Sequence, residues 1–424
     1  MGTLVSIGAG GMERIEAELL IPGRGQPLRD GVVLLDGPTI SYAGAAAQAP
    51  PAASGDATVQ VAAAMPGLWD CHGHFLGLPS LDLTRWATDP LPLRAARCAH
   101  DLRAALAAGV TSVREPGGLG VHLARVVNEG LLDGPTIYGA GAILGTTGGH
   151  ADLHGLPQAW MTHFGQSGGD LRQCDGVDDC VRAVREQLRK NAKLIKVCAS
   201  GGVFSEVDDP IHQQFTVTEL RAMVEVAAMA DRVVAAHCHG KPGIMAALEA
   251  GVHTIEHGTY LDEEACDAMR ETGAILVPTR TIIRETLDSG HLPPYAQAKM
   301  AAIADRHAAA VALAHQREVT IAMGTDIAFT GPKVPDSWGR NGHELPLLVE
   351  AGLTPLEAIE AATANGPRTL GPQAPRSGLL AEGYDADLIA LDADPLADIM
   401  LLADPDHVVG VWRGGRRVKP APLL

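Results

Sequence analysis

Hydrophobic and polar positions follow a regular order over most of this chain. From about residue 67 onward, segments with helical period precede short apolar runs, as in "VDDCVRAVREQLRKNA" before "KLIKVCASGG" and "TELRAMVEVAAMADR" before "VVAAHCHG". Helix followed by strand, repeated many times, predicts a parallel sheet. About eight such units over roughly 300 residues fit a (β/α)8 barrel better than an open sheet. The predicted fold class is therefore α/β, with a TIM barrel over residues 67–371.

Both ends of the chain carry a different pattern, of short β runs bounded by Gly and Pro. The first part contains "ERIEAELLIP", "GVVLLDG" and "TISYAG", and the last part contains "DADLIAL" and "HVVGVWRGG". Each end is too short to fold well by itself. We therefore expect residues 1–66 and 372–424 to pair into one small β-sandwich domain beside the barrel.

Composition and charge narrow the location and the partners. The formal net charge of −17 argues against nucleic acid and anionic membranes as partners. No apolar stretch reaches the roughly 18 residues of a membrane span, and residues 1–20 lack the features of a signal peptide. The seven scattered cysteines indicate free thiols in a reducing compartment, although Cys174 and Cys180 could pair or bind metal. The chain is predicted to be cytoplasmic.

Side chains that bind metals fall at the ends of the predicted barrel strands. In "PGLWDCHGHF", His72 and His74 are two residues apart, so in an extended strand both imidazoles point to the same side. Later strands end in further candidates, which are Lys196, His237, His257 and Asp326. Because active sites of such barrels form where the strands end, these six side chains are expected to share one site. Imidazole and carboxylate donors suit zinc-like divalent ions.

Lys196 needs a special form in such a site, because a protonated lysine would be repelled by divalent cations. If its amine adds carbon dioxide, the resulting carbamate supplies two oxygens and can bridge two metal ions. In that form Lys196 would be able to bridge two divalent metals, for which the donor set favours zinc.

These motifs resemble those of the metal-dependent amidohydrolase superfamily, and in particular its imidazolonepropionase-related branch with Xaa-Pro dipeptidase-like and N-acyl-amino-acid-cleaving enzymes. The resemblance rests on "PGLWDCHGHF", "IKVCASGG", "AAHCHG", "IEHG" and "MGTD", and on the terminal stretches "DGVVLLDGPTISYAG" and "GLLAEGYDADLIALDADPLADI". It implies that His72, His74 and Asp326 bind one metal. His237 and His257 would bind the second, with carbamylated Lys196 and a hydroxide between them.

The resemblance also implies a mechanism in which the metal-bridging hydroxide attacks the carbonyl of the substrate. Asp326 would accept the proton of the hydroxide and pass it to the departing amine. Asp326 and Lys196 are thus the predicted catalytic residues.

Five further residues are candidates for substrate binding. His150 in "GTTGGHADLHG", His239 and Tyr260 lie close in sequence to predicted strand ends, and Arg280 could bind a free α-carboxylate with two hydrogen bonds. Trp338 in "WGRNGHEL" stands where the family commonly has a histidine. An indole at this position would favour a bulky, apolar acyl group in the substrate.

The predicted function is hydrolysis of the amide bond of a dipeptide or N-acyl amino acid, a small-molecule substrate. The resemblance also implies a homo-oligomer, with an octamer as one candidate. Two alternatives stay open. A mononuclear deaminase or imidazolonepropionase-type hydrolase would generally do without a bridging lysine, and a catalytically silent scaffold would usually have lost metal ligands.

Overall fold

The computed structural model describes residues 12–52, 56–290, 292–331 and 334–419. Residues 1–11 and 420–424 lie outside this part. The prediction that residues 1–20 contain no signal peptide therefore falls mostly on residues outside it. The strands are β1 Glu13–Leu20, β2 Leu28–Asp36, β3 Thr39–Ala45, β4 Ala57–Pro66, β5 Leu68–Asp70, β6 Gly73–Leu78, β7 Val110–Glu115, β8 Thr136–Gly139, β9 Ile143–Gly145, β10 Leu171–Gln173, β11 Ile195–Cys198, β12 Val234–Cys238, β13 Thr254–His257, β14 Ile275–Val277, β15 Ile327–Phe329, β16 Leu388–Leu391, β17 Val408–Arg413 and β18 Arg416–Lys419.

Helices follow most of the strands from β6 onward. They are α1 Arg85–Thr88, α2 Leu91–Ala107, α3 Gly120–Asn128, α4 Gln158–Gln166, α5 Val177–Arg189, α6 Val217–Ala228, α7 Lys241–Ala250, α8 Glu263–Thr272, α9 Arg280–Ser289, α10 Pro294–Gln316, α11 Glu344–Glu350 and α12 Pro355–Ala361. Short 3₁₀ turns cover Ala46–Gln48, Asn341–His343, Pro367–Gln373, Ile399–Ala403 and Pro405–His407. Local sequence sets some of these boundaries, since capping boxes begin α6 at Thr216 with Glu219 and α12 at Thr354 with Glu357.

The strands between β5 and β15 pair in parallel, as the alternating pattern predicts. They form three sheets, in the orders β5-β7-β8, β10-β9-β11-β12-β13-β14 and β15-β6. Residues 320–323, predicted as a strand, make only an isolated bridge at Ile321. Even so, the Ala322 amide donates to Leu276 at 2.9 Å and the Cys71 amide to Met323 at 2.8 Å, so this segment lies between β14 and β5. An α/β fold with parallel sheets is confirmed, and closure into one barrel stays a prediction.

The two chain ends pair with each other, because β4 runs antiparallel to β16. The resulting seven-stranded sheet has the order β18-β17-β16-β4-β1-β2-β3. On one face, Ile15, Val33 and Trp412 belong to a core of their own. On the other, Met65 and Val411 join the main core of the molecule. A sandwich of two sheets and the boundaries at residues 66 and 371 stay predictions.

Two further expectations concern the state of the cysteines and the possibility of a membrane span. All seven cysteines are free and buried, and the Cys180 thiol points toward the Cys174 carbonyl, with Sγ and O 4.0 Å apart. Among the residues that the structure describes, no helix has both the length and the apolar character needed to cross a membrane.

Candidate metal centre

The six predicted ligands come together where parallel strands end. His72 follows β5, His74 lies in β6, and Asp326 directly precedes β15. Lys196, His237 and His257 belong to β11, β12 and β13, which are neighbours in one sheet. Five of the six side chains are buried, while that of Asp326 keeps 22% of its surface exposed. The centre therefore opens to solvent on the side of its carboxylate.

One group of possible ligand atoms consists of His72, His74 and Asp326, whose donor atoms lie within 4.8 Å of one another. The Nε2 atoms of His72 and His74 are 3.5 and 3.1 Å from Oδ1 of Asp326. Nζ of Lys196 lies 3.2 Å from Nε2 of His72. This lysine thus lies against the first group, on the strand β11 that pairs with β12, which carries His237.

A second group contains three histidines, His237, His239 and His257, again with donor atoms within 4.8 Å of one another. The ring centroid of His257 lies 5.1 Å from that of His72, so the two groups adjoin. His239, expected in contact with substrate, is brought into this group. Its ring stacks on His257 with the centroids 4.9 Å apart.

The outer nitrogens of the imidazoles are fixed by partners behind the centre. Nδ1 of His72 lies 2.7 Å from a Glu256 carboxylate oxygen, and Nδ1 of His74 donates to the Gly117 carbonyl at 2.6 Å. Nδ1 of His257 lies 2.6 Å from the Thr279 hydroxyl. Nε2 of each of these three rings is thereby left to face the centre, whereas Nε2 of His237 lies 3.0 Å from the Gly201 carbonyl. Imidazoles that bind metals in proteins are held in this way, so the residues present fit divalent metals.

Glu256 and Arg114 form a buried ion pair directly beneath His72. Nη2 of Arg114 lies 2.6 Å from Glu256, and Nε donates to the Cys71 carbonyl at 2.6 Å. Burial alone would raise the pKa of Glu256, but the charge of Arg114 and the hydrogen bond with His72 hold that pKa well below its usual range. Sequence reasoning missed this pair. Its signal is a charged residue within the otherwise apolar strand "HTIEH".

Burial sets the protonation of the centre. It lowers the pKa of His72 to about 4, with help from the charge of Lys196, and lowers the pKa values of His237 and His257 well below the usual range. Burial also lowers the pKa of Lys196, against the opposing charges of Glu256 and Asp326. Neutral imidazoles and a neutral amine are the forms that bind metals and react with carbon dioxide.

The Asp326 carboxylate behaves differently. Burial would raise its pKa, but its interactions with His72, His74 and Lys196, including a hydrogen bond from His74, outweigh burial and lower it. It is ionised at neutral pH and can accept a proton.

The backbone at the centre is strained. His257, Thr279 and Asp326 have φ values of 70°, 54° and 62°, in the left-handed region that costs non-glycine residues about 1–3 kcal/mol each. Buried Asp70 braces this region by accepting hydrogen bonds from the amides of His72 and Thr325. Such conformations persist where the surrounding structure and the function of the site require them.

The structure places His150 and Tyr260, both predicted to bind substrate, in different surroundings. His150 stacks on His237 with centroids 4.2 Å apart and lines the cleft beside the centre. Tyr260 instead packs under the Arg306 guanidinium, which lies 4.9 Å from its ring centroid.

Arg280 and Trp338 do not line the cleft. Glu344 accepts hydrogen bonds from the Arg280 amide at the start of α9, and Nε of Arg280 donates to the Leu347 carbonyl at 3.1 Å, which directs the side chain along α11. The Trp338 ring stacks on Phe75 with centroids 4.0 Å apart and donates to the His74 carbonyl at 3.2 Å. Trp338 therefore supports the backbone of a ligand from behind.

A cleft lies beside the centre, and the empty space in and in front of it, open solvent included, amounts to about 810 Å³. All six predicted ligands line its floor, and its walls are mainly apolar. The apolar lining includes Leu76, Leu83, Trp86, Leu153, Phe204 and Phe329. A site of this kind can hold a large apolar group next to a polar reaction centre.

Comparison with known proteins identifies the family of this chain. The amidohydrolase family model matches residues 63–418. The chain belongs to the amidohydrolase family. This amidohydrolase is 43% identical over 423 residues to ochratoxinase from Aspergillus niger, covering 96% of this chain and 86% of the relative. The predicted superfamily is confirmed.

Solved structures agree with this assignment. The crystal structure of A. niger ochratoxinase matches with a TM-score of 0.90 at 41% identity, over 98% of this chain and 97% of that one. A prolidase complexed with N-methylphosphonate-L-proline matches with a TM-score of 0.88 at 32% identity, over 96% of this chain and 100% of that one. A Xaa-Pro dipeptidase with bound methionine in the active site matches at 0.85 and 29% identity, over 96% and 100%. This amidohydrolase is a hydrolase acting on amide C–N bonds, in a family that generally uses divalent metals.

Thr279 offers a test of the partners behind the centre. Thr279→Val removes the hydroxyl beside His257 but keeps the shape of the side chain, and is expected to weaken zinc binding about 10- to 100-fold. Thr279→Ser keeps the hydroxyl and serves as the control. Competition with a chromogenic chelator measures the affinity. Equal zinc affinity in the two variants would show that this contact does not orient His257.

Proposed function

We propose that this amidohydrolase is a binuclear metal-dependent enzyme that cleaves the amide bond of an N-acyl amino acid or dipeptide with a bulky, apolar acyl group. The observation that carries the proposal is the pair of adjoining ligand groups, with Lys196 beside them, at the floor of an apolar cleft. A mononuclear deaminase would have no use for a buried lysine in contact with a ligand. A silent scaffold would have no need of ligands held in strained conformations.

The residues that would hold the metals follow from the two groups. His72, His74 and Asp326 would hold one ion, and His237 and His257 the other, with Lys196 as a carbamate between them. Zinc is the favoured ion, because the donors are imidazole nitrogens and carboxylate oxygens. When bound, two such ions polarise the amide carbonyl and make hydroxide available from water near neutral pH.

Asp326 then moves the proton. Its carboxylate is the partly exposed member of the floor, is ionised, and lies within 3.5 Å of both His72 and His74. It can accept a proton from the attacking water and return it to the amine as the amide bond breaks. Protonation matters because an amine anion is a very poor leaving group.

The acyl group of the substrate would bind in the cleft, against its apolar walls. Burial of apolar surface contributes about 25 cal/mol per Å², and aromatic rings stack for about 0.5–1.5 kcal/mol more. Trp86, Phe204 and Phe329 supply such rings. The names of the relatives agree with amino-acid derivatives as substrates, since two of those structures hold an L-proline derivative and methionine. Ochratoxin is the first compound to assay.

The proposal also includes the oligomeric state of the protein and the closure of its parallel strands into one barrel. We infer a homo-oligomer and a closed (β/α)8 barrel, the latter supported by the hydrogen bonds that link residues 320–323 to β14 on one side and to the chain at Cys71 on the other.

A matched substrate series tests the acyl preference. An aromatic acyl group on phenylalanine is expected to give a kcat/KM at least about tenfold higher than acetyl on phenylalanine, because the rings of the wall bury it. Phe204→Ala should reduce this ratio, whereas Leu131→Ala, at a residue that is 71% exposed, should leave it unchanged. Equal kcat/KM for the two substrates in the zinc-loaded protein would contradict the assignment of the apolar wall.

A further inference from the structure

A hydrogen-bond network outside the metal ligands holds the ring of His150. Nδ1 of His150 lies 2.9 Å from Oγ of Ser205, and that hydroxyl contacts Oδ1 of Asp208. The other Asp208 oxygen accepts from the Gly202 amide at 3.1 Å and from Nε2 of Gln214 at 2.8 Å. The Gln214 side chain also accepts from the His150 amide at 3.0 Å, so both backbone and ring of His150 are tied to the network.

The directions of these hydrogen bonds can be assigned. Two N–H groups donate to Asp208 and Nζ of Lys299 lies 3.6 Å from its Oδ1, and the neighbours His150, Ser205 and Lys299 lower the pKa of Asp208 against the effect of burial. An ionised carboxylate only accepts, so Ser205 must donate its single hydroxyl proton to Asp208. The Ser205 oxygen is then an acceptor toward His150, and Nδ1 of His150 must carry a proton.

The loop that carries the network is built to be rigid. Nζ of Lys299 on α10 donates to the carbonyls of Gly202, Ser205 and Asp208, with distances of 3.2 and 2.7 Å for the first two. A Cβ on Gly202 would come within 2.1 Å of Nδ1 and Cε1 of His150, so only glycine allows the loop to lie this close to the ring. Lys299 fixes the loop, and the loop fixes the ring.

The remaining polar atom of the ring is available to a ligand. Within the described part of the chain, Nε2 of His150 has no hydrogen-bond partner, and the partly exposed ring lines the cleft together with Asp326. In a neutral imidazole that carries its proton on Nδ1, Nε2 accepts hydrogen bonds.

We propose that Ser205 and Asp208 are positioning residues that hold His150 in the Nδ1–H tautomer, so that Nε2 accepts a hydrogen bond from the N–H of the substrate amide. The inference rests on the proposed function, because it assigns a partner within the same cleft. It narrows the substrate to secondary amides, whose nitrogen carries a hydrogen, in preference to N-alkylated amides.

The tautomer can be tested without any substrate. ¹⁵N spectra of zinc-loaded protein with labelled histidine, with His150→Asn used for assignment, are expected to show Nδ1 protonated and Nε2 bare. Asp208→Asn gives residue 208 an amide that can donate to Ser205, which frees the serine proton for Nδ1 and should move the histidine proton to Nε2. A wild-type ring with the proton on Nε2 would overturn the proposal, whatever the activity of the protein.

The substrate assignment is tested by the ratio of kcat/KM for an N-acyl amino acid and its N-methyl counterpart. The ratio is expected to fall about tenfold in Ser205→Ala and Asp208→Asn, which is the size of one hydrogen bond at a desolvated site. Ser205→Thr keeps the hydroxyl and should retain the wild-type ratio. Comparing ratios removes the different intrinsic reactivity of the two amides.

The outcomes distinguish a wrong role for His150 from a wrong proposed function. An unchanged ratio in Ser205→Ala and Asp208→Asn, with wild-type turnover intact, overturns the role of His150 while leaving amide hydrolysis in place. Absence of turnover for every amide in protein with two bound zinc ions overturns the proposed function and the amide N–H assignment together, and the ¹⁵N spectra still decide the tautomer.

Discussion

Asp326→Asn is expected to lower kcat for amide hydrolysis by about 10² to 10⁴-fold, the usual cost of removing a general acid–base group. The variant keeps the size of the side chain and one oxygen near His72 and His74, but it cannot accept a proton. KM should therefore change much less than kcat. Steady-state kinetics with a fixed zinc content per chain measure both values.

A matched control exists on the surface of α10. Asp305→Asn makes the same chemical change at an exposed position and should leave kcat unaltered. If Asp326→Asn retained near-normal kcat with two metals bound, the proton would have to travel by another route.

Lys196→Ala is expected to lose roughly 10³-fold in kcat and to hold its metals less tightly, since polarisation by metal ions is worth several kcal/mol. The buried amine lies 3.2 Å from Nε2 of His72, so the substitution would leave a space beside the first ligand group. A short carboxylic acid supplied with zinc should restore part of the activity, because its two oxygens can replace those of the carbamate. Activity and metal content are measured together.

Lys193→Ala is the control for this variant, since Lys193 precedes β11 and its ammonium contacts Asn191, away from the ligand groups. Electron density showing an unmodified Lys196 turned away from the metals in fully loaded protein would contradict the bridging role.

The strand pattern and the ligand residues could be predicted from sequence because their periodicity is local. Parallel strands place their ends together, so a histidine at each end predicts a cluster without knowledge of long-range contacts. His72, His74, Lys196, His237 and His257 are examples, all of them within or next to strands.

Side-chain direction outside the strands could not be predicted in the same way. Arg280 follows a strand end in sequence, but Glu344, 64 residues later, caps its helix and turns its side chain away from the cleft. Trp338 was expected to face substrate, yet Phe75 offers it a stacking partner behind His74. Both outcomes depend on contacts between segments far apart in the chain.

The residues that hold the ligands were missed for the same reason. Arg114, Glu256 and Thr279 act through hydrogen bonds between different strands and loops. A charged residue inside an apolar strand was the available signal for Glu256, and Arg114 in "VTSVREPGG" carried a similar one.

The most direct test of the account is a titration of metal-free protein with zinc, followed by hydrolysis of an aromatic N-acyl amino acid. Two metal sites built from the ligand groups around His72 and His257 predict that activity rises until two zinc ions are bound per chain and then stays constant. Full activity at one zinc ion per chain, or none at any zinc concentration, would contradict a binuclear amide hydrolase.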